Sequence, residues 1–366
     1  MDGSKVIRII GAGPAGLTAA INLAKNDYKV IVYEKNADVG MRFHDDFQGL
    51  ENWSMEEDVL TSLETMSIKA SFFYRPIHKG LLYGPSSKVQ IESSKPLFYL
   101  IRRGKSHDTL DYSLKEQALS LGVKIMFNTC AGEKDGEIIA IGPKKVCGIA
   151  IGMNFETDLE DSATVIFDDT VAPKGYAYLL VAERKATLAS VLYKNFDEAN
   201  QFLGKSLERF KSILSFKIKN PTKFGGYGSF SIPRSAMQGG RMYVGESSGF
   251  QDFLFGFGIK YAIVSGYLSA KSIIEKVDYD TLWKKHFLQQ LQASLSNRIL
   301  YELLGPMQYD FLVKKTGSSK DPRKFWMRLY HNSIYKKFIY PFALLRYKLR
   351  DFKSRPVKHW SLLDKT

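Results

Sequence analysis

The 366-residue chain is poor in the residues that cross-link a protein or anchor it in a bilayer. It has two cysteines, Cys130 and Cys147, in no CxxC pair, so neither a disulfide framework nor a thiolate zinc site is indicated. A reducing, cytosolic setting fits such usage. Long apolar runs are missing as well. The longest late one is the eight residues from Phe338 to Leu345, well short of the roughly 20 that a spanning helix needs, so membrane contact would have to be peripheral. No charged n-region, long h-region and small-residue cleavage site follow one another at the N-terminus, so no signal peptide is expected. Acidic residues are outnumbered, 38 against 52 Lys and Arg, for a formal net charge of +14. That balance suggests an anionic partner such as phosphate, nucleic acid or a lipid surface. Repeats and low-complexity linkers are lacking too. What is present, 45% apolar and 25% charged residues, is ordinary for a globular chain and excludes wholesale disorder. The length suits one large domain or two joined ones.

Val6 to Ile10, β-branched except for Arg8, reads as a central parallel strand, expected to be apolar on both faces. It leads into Gly11-Ala12-Gly13-Pro14-Ala15-Gly16, after which Leu17, Ala20, Ile21 and Ala24 recur at helical spacing. In a strand, GxGxxG, helix unit the first glycine makes the turn and the second admits a pyrophosphate. The third lets helix and strand pack closely, and the helix N-terminus faces the phosphates. Lys29 to Tyr33 reads as a second strand, closed by Glu34 eighteen residues after Gly16, where a ribose-binding acid belongs. Glu34 would repel a 2′-phosphate, which disfavours NADP at this site and leaves FAD or NAD.

Much later, Arg241 to Gly245 reads as a strand followed by the polar turn Glu246-Ser247-Ser248-Gly249-Phe250-Gln251-Asp252. Gly256-Phe257-Gly258-Ile259 then opens a helix through Tyr261, Ala262, Val264 and Ala270. A second helix N-terminus of this kind could hold a ribityl chain and set N–H groups beside a flavin pyrimidine edge. A surface glycine loop is the plainer alternative.

GAGPAG, Glu34, the Gly40-Met41-Arg42 segment and the late Val244-Gly245-Glu246…Gly256-Phe257-Gly258-Ile259 block together resemble the FAD-dependent oxidoreductases of the aromatic-hydroxylase fold. Within these, the chain is most similar to the geranylgeranyl reductases. Pro173-Lys174-Gly175-Tyr176-Ala177-Tyr178 looks like that family's PxxYxWxFP substrate motif, with Tyr178 where Trp is usual and Leu180-Val181 for the final Phe-Pro. The likeness covers residues 5–275. It implies FAD held by Gly11, Gly13, Pro14, Ala15, Gly16, Glu34, Lys35, Arg42, Arg103, Gly245, Glu246, Gly256, Gly258 and Ile259, with Arg102 as the alternate to Arg103. Tyr176, Tyr178 and His44 are its candidate proton donors; no metal is implied. The chain departs from the family in three further places. Glu246 stands for the usual Asp, and Ile141-Gly142-Pro143 stands where an Asp-Gly pair would serve NADPH. The loop Arg42-Phe43-His44-Asp45-Asp46-Phe47-Gln48-Gly49 has no Cys. NAD(P)H and ferredoxin both stay open as electron donors.

The expected architecture is α/β: a Rossmann-type FAD-binding domain (1–70, 98–145 and 236–275), an inserted β-rich substrate domain (71–97 and 146–235) and a helical basic C-terminal region (276–366). Helices are expected over Met55–Met66 with Ser54 as N-cap, after Arg103 with Leu110, Leu114 and Ala118 on one face, over Asn195–Ser215 and around Leu282–Leu304. The Phe202 and Phe210 stripe reads as core, with a tunnel lining as the alternative. Gly148–Phe155, Thr164–Asp168 and Tyr176–Val181 read as strands of an antiparallel floor. Residues 321–360 carry eleven Lys or Arg against two Asp, together with many aromatics. That mixture suits an anchor on anionic lipid or a solvated basic helix; without a recognition module, nucleic acid is not expected. The activity implied by the resemblance is saturation of C=C bonds in a lipophilic, isoprenoid-like substrate. A flavin monooxygenase and a prenyl-lipid carrier are the competing readings.

Overall fold

The computed structural model describes residues 6–331 and 333–351. The chain begins β1 (Val6–Ile10), α1 (Pro14–Ala24), β2 (Lys29–Tyr33), β3 (Asp46–Glu51), α2 (Val59–Thr65), β4 (Tyr74–Ile77), β5 (Lys79–Tyr83), β6 (Lys88–Glu92) and β7 (Phe98–Arg103). It continues α3 (Leu110–Ser120), β8 (Lys124–Met126), β9 (Ile138–Ile139), β10 (Gly148–Glu156), β11 (Ser162–Ile166), β12 (Tyr176–Ala182), β13 (Lys185–Leu192), α4 (Ala199–Ile213) and β14 (Lys219–Gly228). The last part is β15 (Met237–Gln238), β16 (Arg241–Tyr243), α5 (Ile259–Glu275), α6 (Tyr279–Glu302), α7 (Pro306–Gly317), α8 (Pro322–Tyr330) and α9 (Ile334–Asp351).

Two large sheets organise these elements. One has the order β15-β16-β9-β1-β2-β8 and is parallel except at its β15–β16 edge. β1 lies between β2 and β9, where Ile9 meets Val32 and Ile138, and helices α1 and α5 cover it. Ile7 and Ile9 join the core beneath these helices, whereas Arg8 on the other face is exposed and pairs with Glu137, so the expected second apolar face is interrupted. The other sheet, β14-β10-β13-β12-β11-β5-β6, is antiparallel apart from its β5–β11 pair, and α4 packs Phe202, Leu203 and Phe210 onto it as core. A three-stranded sheet, β3-β7-β4, stands beside them. The chain is an α/β protein with a Rossmann-type nucleotide fold, as its sequence pattern implies.

Three expected boundaries need correction. The helix placed at Met55–Met66 starts only at Val59, capped by Asp58, whose carboxylate accepts from Leu60 N. Ser54 is not the cap, because the Glu51 carboxylate captures the N–H groups of Trp53 and Ser54 and bends that segment. The strand expected to reach Gly245 stops at Tyr243, since Gly245 takes φ +58° and enters a 3₁₀ turn. The helix at Asn195–Ser215 is shorter, Ala199–Ile213, because Asn195 is left-handed and a 3₁₀ turn precedes it.

The basic C-terminal segment divides by burial. α8 is a structural member: Trp326 and Tyr330 are buried, and the Arg323 guanidinium donates to the carbonyls of Asn52 and Met55. α9 packs Ile339, Tyr340, Leu344 and Tyr347 on the core while Ile334, Tyr335, Phe338, Phe342 and Leu345 are exposed. Residues 352–360 of that segment lie outside the described residues. Among the described residues no helix is long and apolar enough to cross a membrane.

Candidate active site

The glycines at the tip of β1 divide into structural and open positions. Gly11 takes φ +105°, and a Cβ there would lie 2.3 Å from the Ala140 carbonyl oxygen. A Cβ on Gly16 would lie 2.0 Å from the Gly11 carbonyl, so α1 seats directly on the turn. Gly13 has no atom within 4 Å of that position. It caps α1 without a side-chain acceptor and, with Pro14 and Ala15, lines a cavity. The first N–H groups of a helix need partners, and an open cradle at a helix N-terminus suits phosphate oxygens. At the end of β2, Glu34 accepts from Ala12 N at 2.9 Å and from Asn36 N at 2.9 Å. That fixes its carboxylate at the cavity rim beside Lys35.

The late glycine block meets the first one across the sheet. Gly245, whose N–H donates to Ser265 Oγ at 2.9 Å, packs against Ala15, and Gly266 of α5 sits where a Cβ would be 2.1 Å from the Ala15 carbonyl. This close approach brings the N-terminus of α5 beside that of α1. Gly256, Gly258, Ile259 and Ala262 consequently line the same cavity. Arg42 lies at the rim, paired with Glu246 at 2.8 Å and stacked over Tyr227. Arg103 is buried, held by Asp111 through two bonds of 2.8 and 2.9 Å and laid over the Phe43 ring. Burial works against its charge, but the Asp111 carboxylate, with Asp46 and Glu246, outweighs that and holds the guanidinium above its usual range. Arg102, the alternate, faces away toward Asp108 and Glu183 and does not line the cavity.

The cavity has a volume of about 1080 Å³, at the top of the roughly 300–1,000 Å³ usual for small-molecule sites. Its far end is apolar. β12 turns Tyr176, Tyr178 and Leu180 into it and Ala177, Leu179 and Val181 into the core behind, the period of a strand. The Tyr176 hydroxyl donates to the Phe255 carbonyl at 2.6 Å. Trp53 meets Phe257 edge-on with ring centres 4.8 Å apart, and Phe255 meets Trp326 at 5.4 Å. Burial pushes the Tyr176 and Tyr178 hydroxyls well above the usual phenol range.

Two expected site residues are corrected. His44 does not line the cavity: it is exposed, and its backbone serves Asp46 and Asn154 instead. Gly16 also stays out, because it is consumed by the contact with Gly11. The other expected residues all line the cavity. Sequence reasoning missed Asp46, Gln48, Trp53, Phe98, Trp326 and the Phe224–Gly228 strand end, which also line it. Only the two adjacent acids of the Arg42–Gly49 loop offered a signal.

Comparisons with known proteins agree with this geometry. Residues 9–52 match the model of an NAD(P)-binding Rossmann-like domain. The chain is 23% identical to a digeranylgeranylglycerophospholipid reductase of Methanocaldococcus jannaschii, over 86% of this chain and 90% of that one. A geranylgeranyl bacteriochlorophyll reductase-like protein from Thermoplasma acidophilum superposes with a TM-score of 0.68 at 17% identity, covering 95% of this chain and 99% of the other. The p-nitrophenol 4-monooxygenase of Pseudomonas putida superposes with a TM-score of 0.60 at 12% identity, covering 89% and 97%. Two helix N-termini, the open Gly13 cradle and the Glu34 carboxylate fit a dinucleotide, and together with the reductase relatives they support an FAD-dependent oxidoreductase. Its resemblance to the geranylgeranyl reductases, read from the motifs, is matched by these relatives.

Proposed function

We propose that the protein saturates C=C bonds of an isoprenoid or lipid-like substrate. The observation that carries this reading is the continuity of the dinucleotide cradle with a deep aromatic chamber formed by Trp53, Phe98, Phe167, Tyr176, Phe255 and Trp326. An apolar chain can lie there with its reacting carbons dry and close to the cofactor. When bound and reduced, FAD supplies the hydride. Gly13 and Ala15 with the α1 N-terminus would hold its pyrophosphate, Glu34 its ribose, and Gly245, Gly258 and Ile259 its ring end. The Arg42–Glu246 pair would close over it from the rim. Tyr176 and Tyr178 would orient the chain on the chamber floor. The lobes we assign are 1–70, 98–145 and 236–275 for FAD, 71–97 and 146–235 for substrate, and a helical region from 276 on; residues 1–5, 332 and 352–366 lie outside the described residues.

A lipid substrate has to be collected from somewhere, and the exposed apolar stripe of α9, Ile334, Phe338, Phe342 and Leu345, lies among Lys337, Arg346 and Lys348. This mixture suits peripheral contact with an anionic bilayer surface. Ile141-Gly142-Pro143 at the cavity wall offers no acid for NADPH. A flavin monooxygenase on an aromatic or lipophilic substrate is the second reading, because the same α/β frame carries that chemistry in the superposed p-nitrophenol 4-monooxygenase. Incubating chemically reduced, FAD-loaded protein with a geranylgeranyl lipid under argon separates the two. A product heavier by two hydrogens per reduced bond supports the reductase. Oxygen incorporation seen only after admission of air, with no hydrogenated product, supports the monooxygenase.

A further inference from the structure

Six carboxylates line the cavity; four are paired with a Lys or Arg, and the fifth, Glu34, is tied to the turn after β1. Glu34 holds the N–H groups of Ala12 and Asn36. Asp38 pairs with Lys115, Asp111 with Arg103, Glu133 with Lys144 and Glu246 with Arg42. Asp46 is different. It is 2% exposed, and among the described residues no Lys or Arg comes within ion-pairing distance of it.

Asp46 opens β3, where strand alternation sends Phe47 into an apolar cluster with Leu100 and turns Asp46 and Gln48 toward the cavity. One carboxyl oxygen accepts from His44 N at 2.9 Å and the other from Gln48 Nε2 at 2.7 Å. The position is rigid. The Phe47 N–H donates to Thr187 Oγ1 at 2.8 Å, the Thr187 hydroxyl to Asn154 Oδ1 at 2.7 Å, and the Asn154 amide to the His44 carbonyl at 3.0 Å. Residues 44–47 are thereby stapled to β10 and β13. The groups facing Asp46 are Arg103, its register partner on β7 already engaged by Asp111, Tyr178 from β12, and the Gln48 amide on its own strand. Burial holds its carboxyl above the usual range, against the opposing pull of the His44 N–H, the Gln48 amide and the Arg103 charge.

We propose that Asp46 is the acid that protonates the substrate alkene, an inference that rests on the reductase reading above. Saturation adds one hydride and one proton across a C=C bond. The Asp46 O–H bond breaks and a C–H bond forms on one alkene carbon, while the other carbon takes the hydride that reduced FAD gives up. The π bond is lost, the alkene gains two electrons and the cofactor loses two. Asp46 is left as a carboxylate that the His44 N–H and Gln48 amide already bond, and it recovers a proton from solvent once the product leaves. A buried carboxyl that lines the cavity and whose burial favours the protonated form suits this task better than the Tyr176 and Tyr178 hydroxyls, which burial makes poorer proton donors.

The test compares FAD-loaded wild type, Asp46→Asn and Asp46→Glu in anaerobic reduction of a geranylgeranyl lipid. Infrared spectra of the resting proteins provide a readout free of turnover. We expect Asp46→Asn to keep its FAD and its fold and to lose roughly 10²–10⁴-fold in kcat, with partial recovery in Asp46→Glu. Wild-type kcat should fall as pH rises through the Asp46 pKa, because the donor must be protonated, and Asp46→Asn should lose that limb. The protonated-carboxyl band that persists to the highest pH in wild type should be missing from Asp46→Asn. Wild-type turnover matched by Asp46→Asn with the same alkaline limb overturns the role of Asp46 and leaves the reductase reading intact. An Asn variant that sheds FAD would make Asp46 a support of the cofactor and overturns the proposal as well. Wild type inactive on every prenyl lipid overturns both.

Discussion

The two ends of the cavity are built in opposite ways. The pyrophosphate and ribose part of the dinucleotide end comes from one contiguous stretch, β1-α1-β2, in which a Cβ on Gly11 or Gly16 would fall within 2.0–2.3 Å of a carbonyl oxygen while Gly13 stays open. The aromatic end draws Trp53, Phe98, Phe167, Tyr176, Phe255 and Trp326 from six separate segments that meet only in the fold. A local cradle tolerates almost no change at its backbone contacts, while a chamber assembled from side chains can be reshaped one residue at a time.

This contrast can be pressed by substitution. The largest effect is expected from Gly16→Val: its Cβ would overlap the Gly11 carbonyl, so soluble, folded protein should be lost, as measured by yield and circular dichroism. Gly13→Val sharpens the distinction, because its side chain enters open space. Thermal unfolding of the apoprotein should then be little changed, while FAD content measured by absorbance falls to near zero. Arg103→Ala removes the partner of buried Asp111 and should cost about 3–5 kcal/mol of stability in denaturant titration. At the chamber end, Trp326→Leu should leave FAD content alone and change KM for a prenyl lipid by roughly tenfold. The smallest effect on chemistry is expected at α9. Phe338→Ser combined with Phe342→Ser should weaken co-sedimentation with anionic vesicles by roughly tenfold or more, with kcat on detergent-dispersed lipid unchanged. Deleting α8 would be a poor probe of that surface, since Arg323 and Trp326 hold the core beside Asn52 and Phe255.

The cradle was legible in the sequence because strand, turn, helix and acid lie within 29 consecutive residues, Val6 to Glu34, and each residue type has a local backbone reason. The antiparallel floor was legible too, since Tyr176 and Tyr178 alternate with Ala177 and Leu179. The short strands β3 to β6 were not, because their pairing partners β7 and β11 are distant and their runs mix Pro, Gly and charge. Asp46 escaped notice for the same reason: as a sequence it is one of two adjacent acids in a polar loop, and only pairing with β7 and stapling by Thr187 and Asn154 turn it inward. His44 was misjudged in the converse way, by nearness to Arg42 in a segment whose exposed turn carries its side chain away from the cavity. Choosing between Arg102 and Arg103 needed the strand's own alternation, which puts Arg102 over Phe47 and Phe73 and Arg103 beside Asp111.

The most direct test of a cradle joined to an alkene chamber is an anaerobic half-reaction on wild type, following the visible flavin band after reduced enzyme is mixed with a geranylgeranyl lipid or with its fully saturated counterpart. The account predicts rapid return of the oxidised band with the unsaturated lipid and none with the saturated one. A band that stays bleached with both, and returns only when air is admitted, would contradict it.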